Sequence, residues 1–486
     1  MRLPARPYIV AAILVASALI AVVLRSPLYI TPGVAAAATL AGPRIYYFLR
    51  NDAERRGIDR ETPYFVVYAA SLHSSGIPLY KSLLMTRRSS LFRHISRQAE
   101  VLEQLLRVVH DPVDALYQLS QQSPSKEFAQ ILRNYASLLR SGGQPQVYLK
   151  NLAQHYSRRL EDSWNRFSTL LVEAEEAYLM IYVLGSFMLL LYALLSSVTA
   201  PLLLFSFFMS PLLGAALLTY IHYEEPGLRL PSRFKLLHLA PYPCSLAVFV
   251  ASEPRLDLWL ALAVSAAPLL IHGIYLEFTS RRRAARLRTE ISAAFNEISD
   301  YVRLGYPLDK AVEMVLRDPS LSPEAGRVLS AVTVSPESAY LSSRDLDDNY
   351  RYLLVLLAHM GSTYTPPEIF DLVNGFLSTT SYATRRAKSR IKPYEAVMLA
   401  YPPVLLYVAK KISGMLASIN VPATGFLSTL APGTALALGG SMAALVVVPL
   451  LVNTFIMDRI EGDATNPLKK GLALAISGLF GALLSP

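Results

Sequence analysis

The chain has 486 residues, of which 53% are hydrophobic and 17% are charged. Soluble domains carry about 25% charged residues, so this balance predicts a polytopic membrane protein with sizeable water-exposed parts. The net charge of +10 needs no nucleic-acid partner, because basic residues collect at the cytoplasmic borders of membrane segments. The single cysteine, Cys244, excludes an intramolecular disulfide and a cysteine-built zinc site.

The first 48 residues contain two apolar segments, near 8–24 and 28–48, separated by three residues. The basic start and the first segment are also typical of a signal peptide. Because the next apolar segments also come in pairs, we interpret 1–48 as a retained membrane hairpin. By the positive-inside rule the N-terminus is cytoplasmic, since the second segment ends in Arg44, Arg50, Arg55, Arg56 and Arg60.

Residues 49–176 are polar, with apolar positions recurring at spacings of three and four. This spacing predicts a first cytoplasmic helical domain of five or six helices, with no sustained strand-like alternation. Asp111 and Pro112 mark a turn at which the aspartate caps a helix. Ser141, Gly142 and Gly143 close a later helix.

Residues 177–278 are predicted to form four transmembrane helices. The run 177–223 has no charge, and as one helix it would be roughly 70 Å long. The hydrocarbon core is only roughly 30 Å thick, so the run must fold back near 196–201. A short cytoplasmic loop, 222–235, precedes segments near 236–251 and 256–278.

Residues 279–393 form a second polar, helical region, and 394–486 supply three more apolar segments. The whole chain is therefore predicted to be all-α, with about nine transmembrane helices. Nine spans from a cytoplasmic start put the C-terminus outside. Pro402 and Pro403 are expected to kink the seventh segment.

A Gly-x-Pro-Leu motif occurs once in each polar region. Glycine tolerates the left-handed backbone that ends many helices, and proline suits the first turn of the next one, so each copy predicts a tight helical corner. A phenylalanine precedes each glycine by 11 or 10 residues. Two homologous cytoplasmic domains in a parallel repeat are predicted. The motif residues are Phe65, Gly76, Pro78 and Leu79, then Phe295, Gly305, Pro307 and Leu308.

These motif residues, together with 128–142 and its Gly142, resemble the type II secretion system F family. This family provides the platform proteins of type IV pili, type II secretion and archaeal flagella. The nine-span layout is most similar to archaeal members. In the second copy, the sequence around Thr365, Pro366 and Pro367 replaces the usual glycine-rich helix break, which leaves open whether both copies contact the same partner.

The resemblance implies a non-enzymatic platform in the cell membrane that couples a cytoplasmic hexameric secretion ATPase to the assembly of pilin subunits. A second copy of the chain and membrane lipid are further candidate partners. No P-loop, H-E-x-x-H or G-x-S-x-G motif occurs, so no catalytic, cofactor or metal site is predicted. The alternatives are an archaellum motor platform of the same family, and a permease with parallel repeats. The permease is disfavoured because segments three, four and eight lack ionisable residues.

Four charged groups are candidate contact sites. Two basic clusters are typical of topology determinants that touch anionic lipid, and they also suit docking onto the ATPase: Arg281, Arg282 and Arg283, then Arg385, Arg386, Lys388 and Arg390. An acidic loop is either solvated or a further ATPase contact: Asp345, Asp347 and Asp348. Three acids before segment three form either a solvated helix end or a contact that helps extract filament subunits: Glu173, Glu175 and Glu176.

Overall fold

A computed structural model provides the fold, and its described residues are all helix, turn or loop, which confirms the all-α prediction for that part of the chain. The chain divides into two compact units, Met1–Ala153 and Gln154–Pro486. The first predicted membrane segment lies outside the described residues, as does all of 419–442. The described ranges are 30–87, 91–196, 206, 209–228, 240–344, 346–361, 365–418, 443, 445–454, 456 and 467–484.

Six of the described helices begin in the first unit, and the last of them continues into the second. They are α1 (Ile30–Ser74), α2 (Leu79–Thr86), α3 (Ile95–Val109), α4 (Pro112–Gln122), α5 (Lys126–Arg140) and α6 (Pro145–Ser196). The predicted cap is confirmed, because the Asp111 carboxylate accepts the backbone N–H of Val113 at 3.1 Å.

The core of the first unit surrounds α1, whose residues 61–72 are all buried. A helix that is apolar on every side belongs in the middle of a bundle. Phe65 makes edge contacts with Phe92 and Phe128, at ring-centroid distances of 6.0 and 5.7 Å. The phenylalanine of the first motif is therefore a central packing residue.

The first Gly-x-Pro-Leu motif is a helical corner, as predicted. Gly76 has a φ of 89° and lies just beyond the end of α1. The N–H of Ile77 donates to the carbonyl of Leu72 at 2.9 Å, and the N–H of Gly76 donates to the carbonyl of His73 at 3.0 Å. This pair of bonds is the Schellman motif, which satisfies the last carbonyls of a helix.

The second motif has the same geometry. Gly305 has a φ of 93°, and the N–H of Tyr306 donates to the carbonyl of Tyr301 at 3.1 Å. In both copies the proline has an extended ψ, 157° for Pro78 and 150° for Pro307. Each proline is therefore the N-cap, and the following helix begins at the leucine, one residue later than predicted.

Glu61 of α1 joins α1 to α3. Its carboxylate is 6% exposed and lies at the N-terminus of α3, where it accepts the backbone N–H groups of Arg93, His94 and Ile95 at 2.8–3.0 Å. The first N–H groups of a helix have no intrahelical acceptor, so a side chain from another helix acts as the cap. Burial raises the pKa of Glu61 to about 7, although the backbone donors oppose the shift.

The second unit contains the remaining helices. Within it, segment six continues through a π-helical turn, Glu277–Arg281, into the next helix. The α-helices are α7 (Ser210–Glu224), α8 (Pro241–Ser252), α9 (Leu258–Ser265), α10 (Ala267–Leu276), α11 (Arg282–Arg303), α12 (Leu308–Leu316), α13 (Pro323–Val334), α14 (Pro336–Ser342), α15 (Asp348–Met360), α16 (Glu368–Ser389), α17 (Lys392–Ser418), α18 (Leu445–Thr454) and α19 (Pro467–Leu484).

Helix α19 packs closely against α9 and α10. A Cβ on Gly478 would lie 2.5 Å from the backbone nitrogen of Ala263, and one on Gly273 would lie 2.5 Å from the Cα of Leu468. Such close approach through small residues is typical of helix packing in membranes. Lys469 also pairs with Glu395 of α17 at 2.9 Å.

In the described part of the chain, two continuous helical stretches are long and apolar enough to cross a membrane, Pro145–Tyr192 and Leu258–Arg303. Pro241–Ser252 and Leu445–Thr454 are shorter apolar helices. The nine-span layout and the predicted domain limits remain predictions. Pro402 and Pro403 lie inside α17, which continues on both sides of them.

Alanine at either corner glycine should destabilise its helical corner. A Cβ at Gly76 or Gly305 would meet nothing within 4 Å, so the cost comes only from the left-handed backbone, about 1 kcal/mol each. Gly375→Ala in α16 is the matched control. Its Cβ would also enter open space, but it lies within a helix, where alanine stabilises by up to about 1 kcal/mol. Thermal unfolding of the three variants in detergent tests this, and equal effects would contradict it.

The stability of the α1–α3 contact should depend on the charge of Glu61. Its pKa is raised in the fold from 4.5 to about 7, so the folded state binds more protons than the unfolded state between these values. Stability should therefore fall as pH rises from 4.5 to 7, by up to about 3 kcal/mol. Glu61→Gln should remove this slope.

Glu61→Ala, in contrast, leaves the start of α3 without its acceptor and should cost about 1–3 kcal/mol at every pH. Amide hydrogen exchange of residues 93–95, corrected for intrinsic rates, measures both effects. A Glu61→Gln variant that keeps the wild-type pH slope would assign the slope to another group.

Candidate functional site

The first corner is held against the body of its unit by α5. Leu79 is buried, and its backbone N–H donates to the hydroxyl oxygen of Tyr135 at 3.4 Å. The ring of Tyr135 also makes an edge contact with His73, at 5.9 Å between ring centroids. These contacts make the first motif a packing element. A third Schellman motif, at Gly142 with a φ of 72°, ends α5 as predicted.

The second corner differs from the first in what it exposes. Leu308 is buried, and Phe295 contacts Phe370 at a ring-centroid distance of 5.5 Å. On either side of the glycine, however, Leu304 is 74% exposed and Tyr306 is 45% exposed. The second corner therefore presents apolar side chains on its outer side.

Ion pairs join α11, at whose start the first basic cluster lies, to α13 and to the acidic loop. The charged surface that they form comprises Arg283, Arg288, Glu324 and Asp347. Arg288 pairs with Asp347 at 2.8 Å, and Arg283 pairs with Glu324 at 2.6 Å. The basic cluster and the acidic loop were predicted as separate contacts, and it is Arg288, five residues after Arg283, that links α11 to Asp347 of the loop.

Other members of these two groups have local roles. The guanidinium of Arg282 lies 4.1 Å from the centre of the Phe278 ring. Asp348 begins α15 and contacts the buried Arg351 at 3.4 Å. The side chain of Arg281 and all of Asp345 lie outside the described residues.

The second basic cluster lies at the C-terminal end of α16, where positive charge complements the helix dipole. Arg385 and Arg386 are exposed, and Lys388 is half-buried. Arg390 follows the helix, and its guanidinium donates to the hydroxyl of Ser168 in α6 at 3.3 Å. Arg390 therefore joins two helices, while Arg385 and Arg386 face solvent.

The three glutamates before segment three do not share one environment. Glu173 is exposed. Glu176 accepts a hydrogen bond from the Tyr394 hydroxyl of α17. Glu175 is 1% exposed, and neither of its carboxylate oxygens has a hydrogen-bond partner among the described residues. Of the two alternatives for these acids, a solvated helix end does not describe Glu175.

A polar face of α6 was missed at the sequence level. Tyr178 donates to the carbonyl of Pro449 at 3.4 Å, and Tyr182 donates to the carbonyl of Val446 at 3.4 Å. The Tyr178 hydroxyl also lies 3.3 Å from the hydroxyl of Ser210 in α7.

One helical turn further along, α6 meets α17. The Tyr401 hydroxyl donates to the carbonyl of Val183 at 3.0 Å and lies 2.7 Å from the Ser186 hydroxyl. The rings of Tyr401 and Tyr182 are 5.1 Å apart. The signal in the sequence was the spacing of Glu175, Tyr178, Tyr182 and Ser186, which places four polar residues on one face of an apolar helix.

The comparison with known protein families identifies the domain that contains the first corner and the helices after it. Residues 65–193 match the model of "Type II secretion system (T2SS), protein F". This part of the chain belongs to the type II secretion system F family. The T2SSF domain begins at Phe65 and includes the first corner, α2 to α5 and nearly all of α6. No curated protein and no solved structure matches the chain.

The T2SSF domain indicates the coarse function. T2SSF proteins are membrane platform proteins of type II secretion and type IV pilus-like systems, and they are not enzymes themselves. The contacts of the T2SSF domain described above pack helices together and position no reacting groups. Among the residues that the structure describes, no group of three or more His, Cys, Asp or Glu side chains could hold a metal ion.

Tyr401→Phe should weaken the packing of α6 against α17. The substitution removes the hydroxyl that donates to the Val183 carbonyl and contacts Ser186, so stability should fall by about 1 kcal/mol. Tyr407→Phe is the matched control, since Tyr407 is on the same helix but exposed, and it should change stability by less than about 0.5 kcal/mol. Thermal unfolding in detergent compares the two. Indistinguishable variants would show that the Tyr401 hydroxyl contributes nothing.

Proposed function

We propose that the chain is the multi-pass platform of an archaeal type IV pilus-like machine in the cell membrane, and that it couples a cytoplasmic hexameric secretion ATPase to the assembly of pilins. One observation carries the proposal. The last helix of the T2SSF domain, α6, continues without a break into an apolar stretch that is long enough to cross a membrane. We place the N-terminus in the cytoplasm and the C-terminus outside.

The proposed mechanism is mechanical transmission along α6. The helix has 52 residues, so it is about 78 Å long at 1.5 Å per residue. A displacement at its cytoplasmic end moves its membrane end, because packed helices move as units. There, Tyr178 and Tyr182 bond to α18 and α7, and Val183 and Ser186 bond to α17. Motion of α6 therefore acts on three neighbouring helices.

The second predicted cytoplasmic domain has comparable connections. The stretch Leu258–Arg303 is helical from segment six to the second corner, including the π-helical turn. At the other end, only two residues separate α16 from α17. These connections support two domains that each act on the membrane helices.

The charged surface and the exposed Arg385 and Arg386 are the proposed docking site for the ATPase. The Arg283–Glu324 and Arg288–Asp347 pairs are exposed at the surface. Such pairs contribute only about 0–1 kcal/mol, so an acidic face of a partner can replace the internal carboxylates at little cost. Charge complementarity of this kind mainly accelerates association. The exposed Leu304 and Tyr306 give the second corner a different outer surface, which supports a partner specific to that copy.

The docking site is tested by charge reversal. A variant with Arg282→Glu, Arg283→Glu, Arg385→Glu and Arg386→Glu should lose most of its co-purification with the hexameric ATPase, because like charges would then meet at the contact. Arg303→Glu is the matched control. It removes one exposed ion pair, with Asp371, about 30 Å further along α11 at 1.5 Å per residue. Unchanged co-purification of the fourfold variant from intact membranes would overturn the docking site.

The nature of the filament is tested separately. Crosslinking in cells that assemble filaments, followed by mass spectrometry, should recover pilins; recovery of archaellins would instead assign the chain to an archaellum motor.

The exposed Glu173 is the proposed contact for subunit extraction. Solute flux through reconstituted protein, with no filament subunit recovered, would favour the permease.

A further inference from the structure

The contacts between α6 and α18 fix the register of the two helices. Tyr182 bonds to the carbonyl of Val446, and Tyr178, one turn earlier, bonds to the carbonyl of Pro449. The two helices therefore run antiparallel. Residues three or four apart lie on the same face of a helix. The next step places Glu175, three residues before Tyr178, level with Asn453, four residues after Pro449.

Both side chains at this level are buried with unsatisfied oxygens. Glu175 and Asn453 are each 1% exposed. Both carboxylate oxygens of Glu175 and the Oδ1 of Asn453 lack a hydrogen-bond partner among the described residues. An ionised carboxylate in such a place costs several kcal/mol unless a cation or several donors compensate it.

The surrounding elements supply no such cation within the described part of the chain. On α6, Glu173 is exposed and Glu176 is itself acidic. On α17, the Tyr394 hydroxyl donates to Glu176. Arg390 contacts Ser168 of α6, which is seven residues before Glu175.

The other two helices at this level are also uncharged there. On α18, the Thr454 hydroxyl donates to the carbonyl of Leu451 at 2.8 Å. On α7, the hydroxyl of Ser210 is engaged with Tyr178. None of the ion pairs of the described residues includes Glu175.

We propose that Glu175 is a proton-binding site, and that in the resting state its carboxylic acid donates a hydrogen bond to Oδ1 of Asn453. A protonated carboxyl has one O–H donor and an amide oxygen is an acceptor, so one proton satisfies both buried groups and closes α6 against α18. Loss of the proton leaves a buried anion facing an amide oxygen. The contact is therefore present at low pH and weakens as pH rises. This inference goes beyond the proposed function and does not depend on it.

The proton is observed directly by infrared difference spectroscopy of the full chain in lipid nanodiscs. A pH titration should show the carbonyl stretching band of a protonated carboxylic acid that disappears at high pH. The band should be absent in Glu175→Gln and shifted in Asn453→Ala, because the latter removes the acceptor. Glu173→Gln, the exposed control, should leave it unchanged. A titration without a band that depends on Glu175 would overturn the proposal.

Variant stability tests the same pair independently. The amide of Glu175→Gln can still donate to Asn453, so this variant should keep the wild-type melting temperature at low pH. It should lose the part of the pH dependence that comes from Glu175, and the Glu61→Gln background separates this part from that of Glu61. Glu175→Ala should melt roughly 2–4 °C lower. If Glu175→Gln melts like Glu175→Ala, the hydrogen bond is not the stabilising element.

Changing the cations in solution tests whether the Glu175 site binds a proton or a metal cation. Replacing sodium and potassium with choline at constant pH and ionic strength should leave the melting temperature unchanged. If choline lowers the melting temperature, sodium or potassium restores it, and Glu175→Gln shows no such change, the site binds a metal cation. This result would overturn the assignment to a proton.

Discussion

Hydrogen bonds from one face of α6 hold the helices of the second unit in register. A hydroxyl group in an apolar environment must find an acceptor, and Tyr178 and Tyr182 find theirs in the backbone of α18. Each such bond contributes only about 0.6–2 kcal/mol in membranes. Their geometric effect is larger, because each fixes the rotation and the height of α6 relative to a neighbour.

Contacts with α17, and with Arg390 two residues before it, extend this arrangement along α6. Ser168 meets Arg390, Glu176 meets Tyr394, and Ser186 meets Tyr401. The three contacts span 18 residues of α6, about 27 Å at 1.5 Å per residue. A helix held at three levels cannot slide by one turn without breaking all of them, which suits an element that carries force.

The features that were predicted correctly from the sequence depend only on residues that are close to them in the chain. Gly76 and Gly305 ended their helices as expected, since a left-handed residue and a Schellman motif involve only six consecutive residues. The helix-forming spacing of apolar residues is similarly local. The one-residue error at Pro78 and Pro307 arose because proline fits both the N-cap and the first turn, and only ψ distinguishes them.

The features that were missed depend on partners distant in the chain. Charge alone could not show that Arg288 pairs with Asp347, 59 residues away, or that Glu61 caps a helix 34 residues ahead. The three acids of α6 were grouped because they are adjacent. An α-helix turns by about 100° per residue, so adjacent side chains face different neighbours. The polar face of α6 was visible in its spacing, but its partners were not.

The π-helical turn Glu277–Arg281 has a consequence for how segment six and α11 are joined. A π-helical turn holds one more residue than an α-helical turn, so it rotates the faces that follow by about 100° relative to the faces before it. The buried face of segment six and the buried face of α11 can thereby be set independently. One inserted residue therefore offsets the faces of segment six from those of α11, while the helix continues through both.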